Sequence, residues 1–228
     1  MEMREDLEGS AVLFDLDGTL VDTAADLTAA MNYALSQSGI EPLRVDQVRH
    51  LVGHGSRAML VQGFELSTGM AADQGTLDVA QAIFLDHYMN NIAIHSAPFD
   101  GVLALIEALR DRGVKMGICT NKPEAMARLL VESLNIDTLF ESIVGGETAG
   151  VAKPDPAPVK LCLKQTGASR AIFVGDSDTD IRAAQATGLP CLLVEFGYGP
   201  TTLQIQANAI IRDYKSALPV FLKALTQN

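Results

Sequence analysis

The chain has 228 residues, of which 48% are hydrophobic and 20% charged, enough for one large domain or a core with a smaller insert. Its 28 acids against 17 lysines and arginines give a net charge of −11, which disfavours nucleic acid and anionic membrane as partners. Cys119, Cys162 and Cys191 match no metal-ligand spacing, and their odd number argues against a disulfide framework. The opening MEMREDLEGS lacks the apolar stretch of a signal peptide, and no run reaches the roughly 18 apolar residues of a membrane span. A cytoplasmic protein is expected.

After a polar lead-in, Ala11–Asp15 reads as a strand that opens into Asp15-Leu16-Asp17-Gly18-Thr19. The pattern then changes to helix over Thr23–Gln37, with Leu27, Met31, Ala34 and Leu35 as the apolar stripe and Asp26 and Asn32 off it. Short helices are expected over Pro42–His50 and over Arg57–Phe64, the second capped by Ser56, and a longer one over Thr76–Asn90. No convincing strand lies between Thr23 and His95. From Gly101 onward helices and apolar strands alternate, with strands at Val114–Cys119, Ser142–Val144, Ala171–Gly175 and Pro190–Val194. A sixth strand is expected within Asn208–Ile211, and a last helix over Leu218–Leu225.

Nearly all-apolar strands separated by helices imply an α/β fold, a parallel Rossmann-like sheet covered by helices on both faces. The helical stretch interrupts that pattern directly after the first strand. The expected organisation is a catalytic core of residues 1–22 and 96–228 with an inserted helical cap of residues 23–95.

Polar chemistry collects at four strand ends. They carry Asp15 and Asp17, then Thr120-Asn121, then Lys153-Pro154, then Gly175-Asp176-Ser177 with Asp180 beyond. In a parallel sheet these ends share one edge, so Asp15, Asp17, Asp176 and Asp180 converge. Carboxylates packed in one crevice require a cation, and oxygen ligands without a His or Cys cluster suit Mg²⁺. The set fits phosphoryl transfer. Asp15 would be the nucleophile, and Asp17 would protonate the leaving alcohol and then deprotonate water. Lys153 would offset the phosphate charge, and Thr120 would hold its oxygens.

These motifs, Asp15-Leu16-Asp17-Gly18-Thr19-Leu20 with Asp22, Thr120-Asn121-Lys122, Lys153-Pro154 and Gly175-Asp176-Ser177 with Asp180, resemble the four motifs of the haloacid-dehalogenase-like hydrolases over nearly the whole chain. Asp22–Leu27 and Val48–Gly55 resemble the members with a helical cap that act as phosphoglycolate phosphatases. Two segments depart from that group. His50-Leu51-Val52 stands where a tryptophan is common, and Phe99-Asp100-Gly101 where Tyr-Pro-Gly is usual.

The resemblance implies catalytic Asp15 and Asp17, and Mg²⁺ held by Asp15, the Asp17 carbonyl and Asp176. It implies phosphate binding by Thr120 and Lys153. Asn121 would orient the phosphate or Lys153, and Thr19, Ser177 and Asp180 would give support. Arg57 and His54 in the cap are candidates for the substrate tail. Asp178 reads as a helix N-terminal acid. Glu195 is expected near a lysine. The expected substrate is a small phosphate monoester such as 2-phosphoglycolate, handled by a monomer or homodimer. A broad sugar-phosphate phosphatase, a phosphosugar mutase and a binding module without turnover are the alternatives.

Overall fold

The computed structural model describes residues 7–53, 55–199 and 201–227. One six-stranded parallel sheet forms the core. Its strands are β1 (Ser10–Phe14), β4 (Lys115–Cys119), β5 (Ser142–Val144), β6 (Arg170–Gly175), β7 (Cys191–Val194) and β8 (Ala209–Ile211). They lie in the order β5-β4-β1-β6-β7-β8, so β1 is central, with Val12 opposite Met116 on one side and Ile172 on the other. The order reverses across β1. Its C-terminal end therefore faces the crevice where open α/β sheets bind ligands.

Both sheet faces are apolar, and strand periodicity sorts the side chains between them. Val12, Phe14, Met116, Ile118, Ile172 and Val174 face a cluster that includes α5 (Val102–Arg110), α6 (Glu124–Ser133) and α9 (Leu218–Thr226). Ala11, Leu13, Cys119 and Phe173 face the other layer, built from α7 (Pro156–Thr166) and α8 (Asp178–Thr187). All three cysteines are buried and free. Gly117 is required in β4, because a Cβ there would lie 2.8 Å from the Cys162 sulfur and 2.9 Å from Leu13.

Between β1 and β4 the chain leaves the sheet. Two short strands, β2 (Val21–Asp22) and β3 (Ala97–Pro98), pair antiparallel and bracket α1 (Ala24–Ser36), α2 (Val45–Val48), α3 (Ser56–Thr68) and α4 (Gln74–Asn90). Among the described residues between Thr23 and His95 there is no strand. Leu27, Met31 and Leu35 of α1 share a core with Met59, Leu60 and Phe64 of α3 and Leu77, Phe84 and Tyr88 of α4. Gly63 lets α3 approach α1, where its Cβ would meet the Met31 sulfur at 3.1 Å.

Several local expectations change. Helix α3 runs four residues beyond Phe64, and Gly55 rather than Ser56 stands at its N-cap. The Pro42–His50 helix is confined to Val45–Val48 and continues as one 3₁₀ turn over Arg49–Leu51. Asp26, expected off the apolar stripe, is buried. Its carboxylate accepts bonds from His95 N (3.0 Å), Ser96 N (2.8 Å) and Ser96 Oγ (2.6 Å), so it ties α1 to the segment that returns to the sheet. Burying that acid is tolerable because donors meet it. Asn32 instead pairs with the backbone N and O of Leu43, each at 2.8 Å.

Candidate active site

Four strand ends meet the helical insert across a cavity of about 250 Å³. Asp15, Asp17, Thr120, Lys153 and Asp176 line its floor. Leu27, Val52, Met59, Phe84 and Tyr88 line the opposite wall.

Asp15 follows β1 directly and its N–H donates to Val174 O at 2.8 Å, so sheet hydrogen bonding places it. Its Oδ1 lies 3.0 Å from Lys153 Nζ but makes no hydrogen bond of good geometry. Burial pushes the Asp15 carboxyl up to about 6; Lys153 opposes the shift, while Asp180 and Asp17 add to it.

Lys153 also donates to Asp180 Oδ1 at 2.7 Å, and its ammonium stands 5.2 Å from the Phe173 ring centre. Burial works against its charge, but Asp15 and Asp180 outweigh that and raise its pKa. Asn121 fixes the backbone beneath it. The amide donates to Lys153 O at 3.1 Å and accepts from Lys153 N at 2.9 Å. Of its two expected duties, orienting Lys153 is the one this geometry serves. Thr120 is buried, and its Oγ1 accepts from Lys122 N at 3.2 Å, while Pro123 holds the N-cap of α6.

Asp180 is fully engaged. Its Oδ2 accepts from Asp176 N (3.2 Å), Ser177 N (3.1 Å) and Ser177 Oγ (2.6 Å), while Oδ1 faces Lys153. Asp176 Oδ2 accepts from Tyr198 N at 2.6 Å and Gly199 N at 3.1 Å, and Thr19 Oγ1 approaches Oδ1 at 3.4 Å. Burial pushes the Asp176 carboxyl up to about 7, with Asp180 and Asp15 adding to the shift.

Asp15, Asp176 and Asp180 each offer an oxygen within 4.8 Å of the others. The donor set fits a hard divalent cation such as Mg²⁺. Asp15 Oδ1 is buried and makes no hydrogen bond of good geometry, and burial, with the neighbouring acids adding to it, raises both the Asp15 and the Asp176 carboxyl. Because its oxygens are already committed, Asp180 is suited to bracing the site rather than to ligation.

Asp17 is held differently. Thr23 Oγ1 donates to its Oδ1 at 2.7 Å, and Lys122 Nζ contacts Oδ1 at 2.8 Å and Oδ2 at 3.1 Å. The same ammonium donates to Tyr88 Oη at 2.8 Å, across the boundary to α4. Burial opposes the Lys122 charge, yet Asp17 and Tyr88 together raise its pKa. The sequence motif Thr120-Asn121-Lys122 carries no assigned role for Lys122, and Tyr88 carries none either. Tyr88 sits on the apolar stripe of α4, and only its hydroxyl distinguishes it from a core aromatic.

Arg57 lines the same cavity, but its guanidinium is occupied by α4. It bonds Asp78 at 2.6 Å, Gln81 at 3.1 Å and Gln74 at 2.6 Å. His54 lies outside the described residues. Asp178 does more than face a helix dipole, because its carboxylate accepts from Leu203 N at 2.8 Å and from the Thr202 hydroxyl. Glu195 contacts Arg212 at 3.5 Å rather than a lysine.

Comparison with known proteins agrees with this arrangement. A family model described as haloacid dehalogenase-like hydrolase matches residues 12–194. A phosphoglycolate phosphatase from Caulobacter vibrioides is 38% identical over 99% of this chain and 96% of that protein. Another from Mesorhizobium japonicum is 41% identical over 82% of this chain and 83% of its own. Among solved structures, a predicted phosphoglycolate phosphatase from Haemophilus somnus superposes with a TM-score of 0.84 at 26% identity, covering 96% of this chain and 99% of that one. With the four strand ends and their carboxylates in place, the chain belongs to the haloacid dehalogenase-like hydrolase family.

Proposed function

We propose that the protein is a Mg²⁺-dependent phosphatase of small phosphate monoesters, with 2-phosphoglycolate as substrate and glycolate and phosphate as products. The observation that carries the reading is Asp15. It is a buried strand-end carboxylate with an oxygen free of hydrogen bonds, beside Lys153 and two residues from a second acid. The names of relatives at 38% and 41% identity support the substrate.

In the first step an Asp15 oxygen attacks phosphorus, and the bond from phosphorus to the ester oxygen breaks. Asp17 gives the leaving oxygen a proton, so the alcohol departs and Asp15 carries the phosphoryl group. In the second step Asp17 takes a proton from water as that water attacks phosphorus. Phosphate leaves and both carboxyl groups return to their starting states. Lys153 and Thr120 hold the phosphoryl oxygens, with Asn121 keeping Lys153 in place. Asp15, the Asp17 carbonyl and Asp176 would hold Mg²⁺, which supplies positive charge to the phosphoryl oxygens when bound.

Residues 23–95 act as a cap that excludes bulk water over the floor of the cavity. Arg57 and His54 are its candidates for meeting the substrate carboxylate, Arg57 by exchanging its bonds to Asp78, Gln81 and Gln74. The working setting is a cytoplasmic monomer or homodimer; no described helix is long and apolar enough to cross a membrane.

Phosphate release from a panel of small esters tests this, with and without a chelator. The expectation is that 2-phosphoglycolate leads and that EDTA stops turnover. Sugar phosphates or nucleotides far ahead of it would overturn the substrate, isomerised sugar phosphate in place of free phosphate would indicate a mutase, and chelator-insensitive turnover would overturn the mechanism.

A further inference from the structure

We infer that Tyr198 is a positioning residue that couples the cap hinge to the metal-facing carboxylate of Asp176. The inference rests on the proposed role of Asp176 as a Mg²⁺ ligand.

Tyr198 sits in the loop between β7 and β8 and is 2% exposed. Its two ends do different jobs. At the backbone end, Tyr198 N and Gly199 N donate to Asp176 Oδ2 at 2.6 and 3.1 Å. At the ring end, the hydroxyl donates to Asp22 Oδ1 and accepts from Thr23 N at 2.7 Å and Ala24 N at 3.2 Å. One donor and two acceptor positions are all that a phenol hydroxyl offers, so it is fully used. Asp22 closes β2, and Thr23 and Ala24 begin α1, where the chain passes from sheet to insert.

Little slack exists between the two ends. A Cβ on Gly197 would lie 2.1 Å from Asp176 Cβ, so the loop backbone rests directly on the acid. A Cβ on Gly18, which has φ +81°, would lie 2.5 Å from Asp176 Oδ2 and 2.9 Å from the Tyr198 ring. The Arg49 guanidinium stands 5.0 Å from the ring centre and also bonds Asp22 Oδ2 at 3.1 Å. A displacement of the hinge therefore pulls on the phenol, and through a wedged ring on the amides that hold Asp176. Coupling between sites is reciprocal. Fixing Asp176 with a cation must stiffen the hinge by the same factor by which the locked hinge improves cation binding.

The test uses the full chain stripped with EDTA and titrated with MgCl₂ in a calorimeter, with no substrate present. Tyr198→Phe keeps both amides and removes only the hydroxyl. It is expected to weaken Mg²⁺ binding about fivefold to tenfold, the lower end of the range of ordinary coupling free energies. Ser96→Ala loosens the other hinge segment by removing the 2.6 Å bond to Asp26, and is expected to leave Mg²⁺ binding unchanged. The wild-type chain supplies a readout that needs no variant: Mg²⁺ should slow hydrogen exchange at the Thr23 and Ala24 amides.

Unchanged binding in Tyr198→Phe, equal weakening in Ser96→Ala, or exchange at Thr23 and Ala24 indifferent to Mg²⁺ would each overturn the coupling. If the wild-type chain bound no Mg²⁺, the assignment of the metal site would fall, and this inference with it. Normal wild-type binding with an indifferent Tyr198→Phe would remove the coupling alone.

Discussion

Two buried lysines, each paired with at least one carboxylate, divide the site into regions of different character. Lys153 lies between Asp15 and Asp180, inside the sheet edge, and every partner belongs to the β/α core. Lys122 lies between Asp17 and Tyr88, so one partner is on the first strand-end loop and the other on a helix of the insert. Both ammonium groups are buried and held by paired partners, two carboxylates for Lys153 and a carboxylate and a phenol for Lys122. The first network holds whatever the insert does, whereas the second is complete only while α4 rests on the core. The charge at the sheet edge and the proposed acid–base group are thus built separately here. The groups proposed to meet the phosphate are fixed by the sheet, and Asp17 is additionally referenced to the insert.

Substitutions can break this contrast in order of effect. Asp15→Asn should abolish phosphate release, with a loss of about 10⁴-fold or more as expected for a nucleophile. Its melting temperature should hold or rise, because one buried like-charge repulsion disappears. A large fall in melting temperature would show that Asp15 serves folding as well.

Lys153→Met should cost about 3–5 kcal/mol of unfolding free energy, the usual penalty for leaving buried charges unpaired. Adding Asp180→Asn should recover part of it in a denaturant titration. No recovery would mean the Lys153–Asp180 contact is not what stabilises the edge. Lys122→Met should act mainly on turnover, lowering kcat roughly 10²-fold with little change in KM, as for a mispositioned acid–base group. Tyr88→Phe should show a weaker form of the same effect. A change confined to KM in both variants would remove the referencing of Asp17 to the insert.

The smallest effect is one of pH. Asp15 and Asp176 are raised to about 6 and about 7 in the folded chain without metal, from an ordinary 3.8. Raised carboxyls keep their protons longer when folded than when unfolded. The metal-free fold therefore loses stability as pH rises from below the unfolded value through the folded ones. Cations bind the deprotonated acids, so Mg²⁺ should raise the melting temperature more near pH 8 than near pH 5. Equal shifts at both would show that these two carboxyls are not the groups that meet the cation.

The sheet and the acid-rich edge were legible because their signals are local. An apolar run ending in Asp-x-Asp, or in Gly-Asp, needs no distant partner to be read. The parallel topology then brings the four ends together. The roles of Lys122, Tyr88 and Tyr198 escaped because their partners are remote and their types are bland. Lys122 meets an acid 105 positions away, and Tyr198 meets a hinge amide 175 positions away. Asp26 was misplaced for a related reason. A carboxylate beside an apolar stripe reads as solvated unless the donors that bury it, His95 N and Ser96 N, are already known to lie opposite.

The paired bonds between the Asn121 amide and the Lys153 backbone amount to one more rung of sheet ladder, made by a side chain after β4 has ended. The height of the Lys153 ammonium above the crevice is thus inherited from strand register rather than from the loop that leads to it. That loop passes through Glu147–Ala152, where Val151 is exposed and a Cβ on Gly150 would meet nothing within 4 Å. Insertions or deletions in its outer part should therefore alter the outline of the protein while leaving the Lys153 charge where it is. The segment is a place where length can drift, and where a tag or a fused domain could be attached.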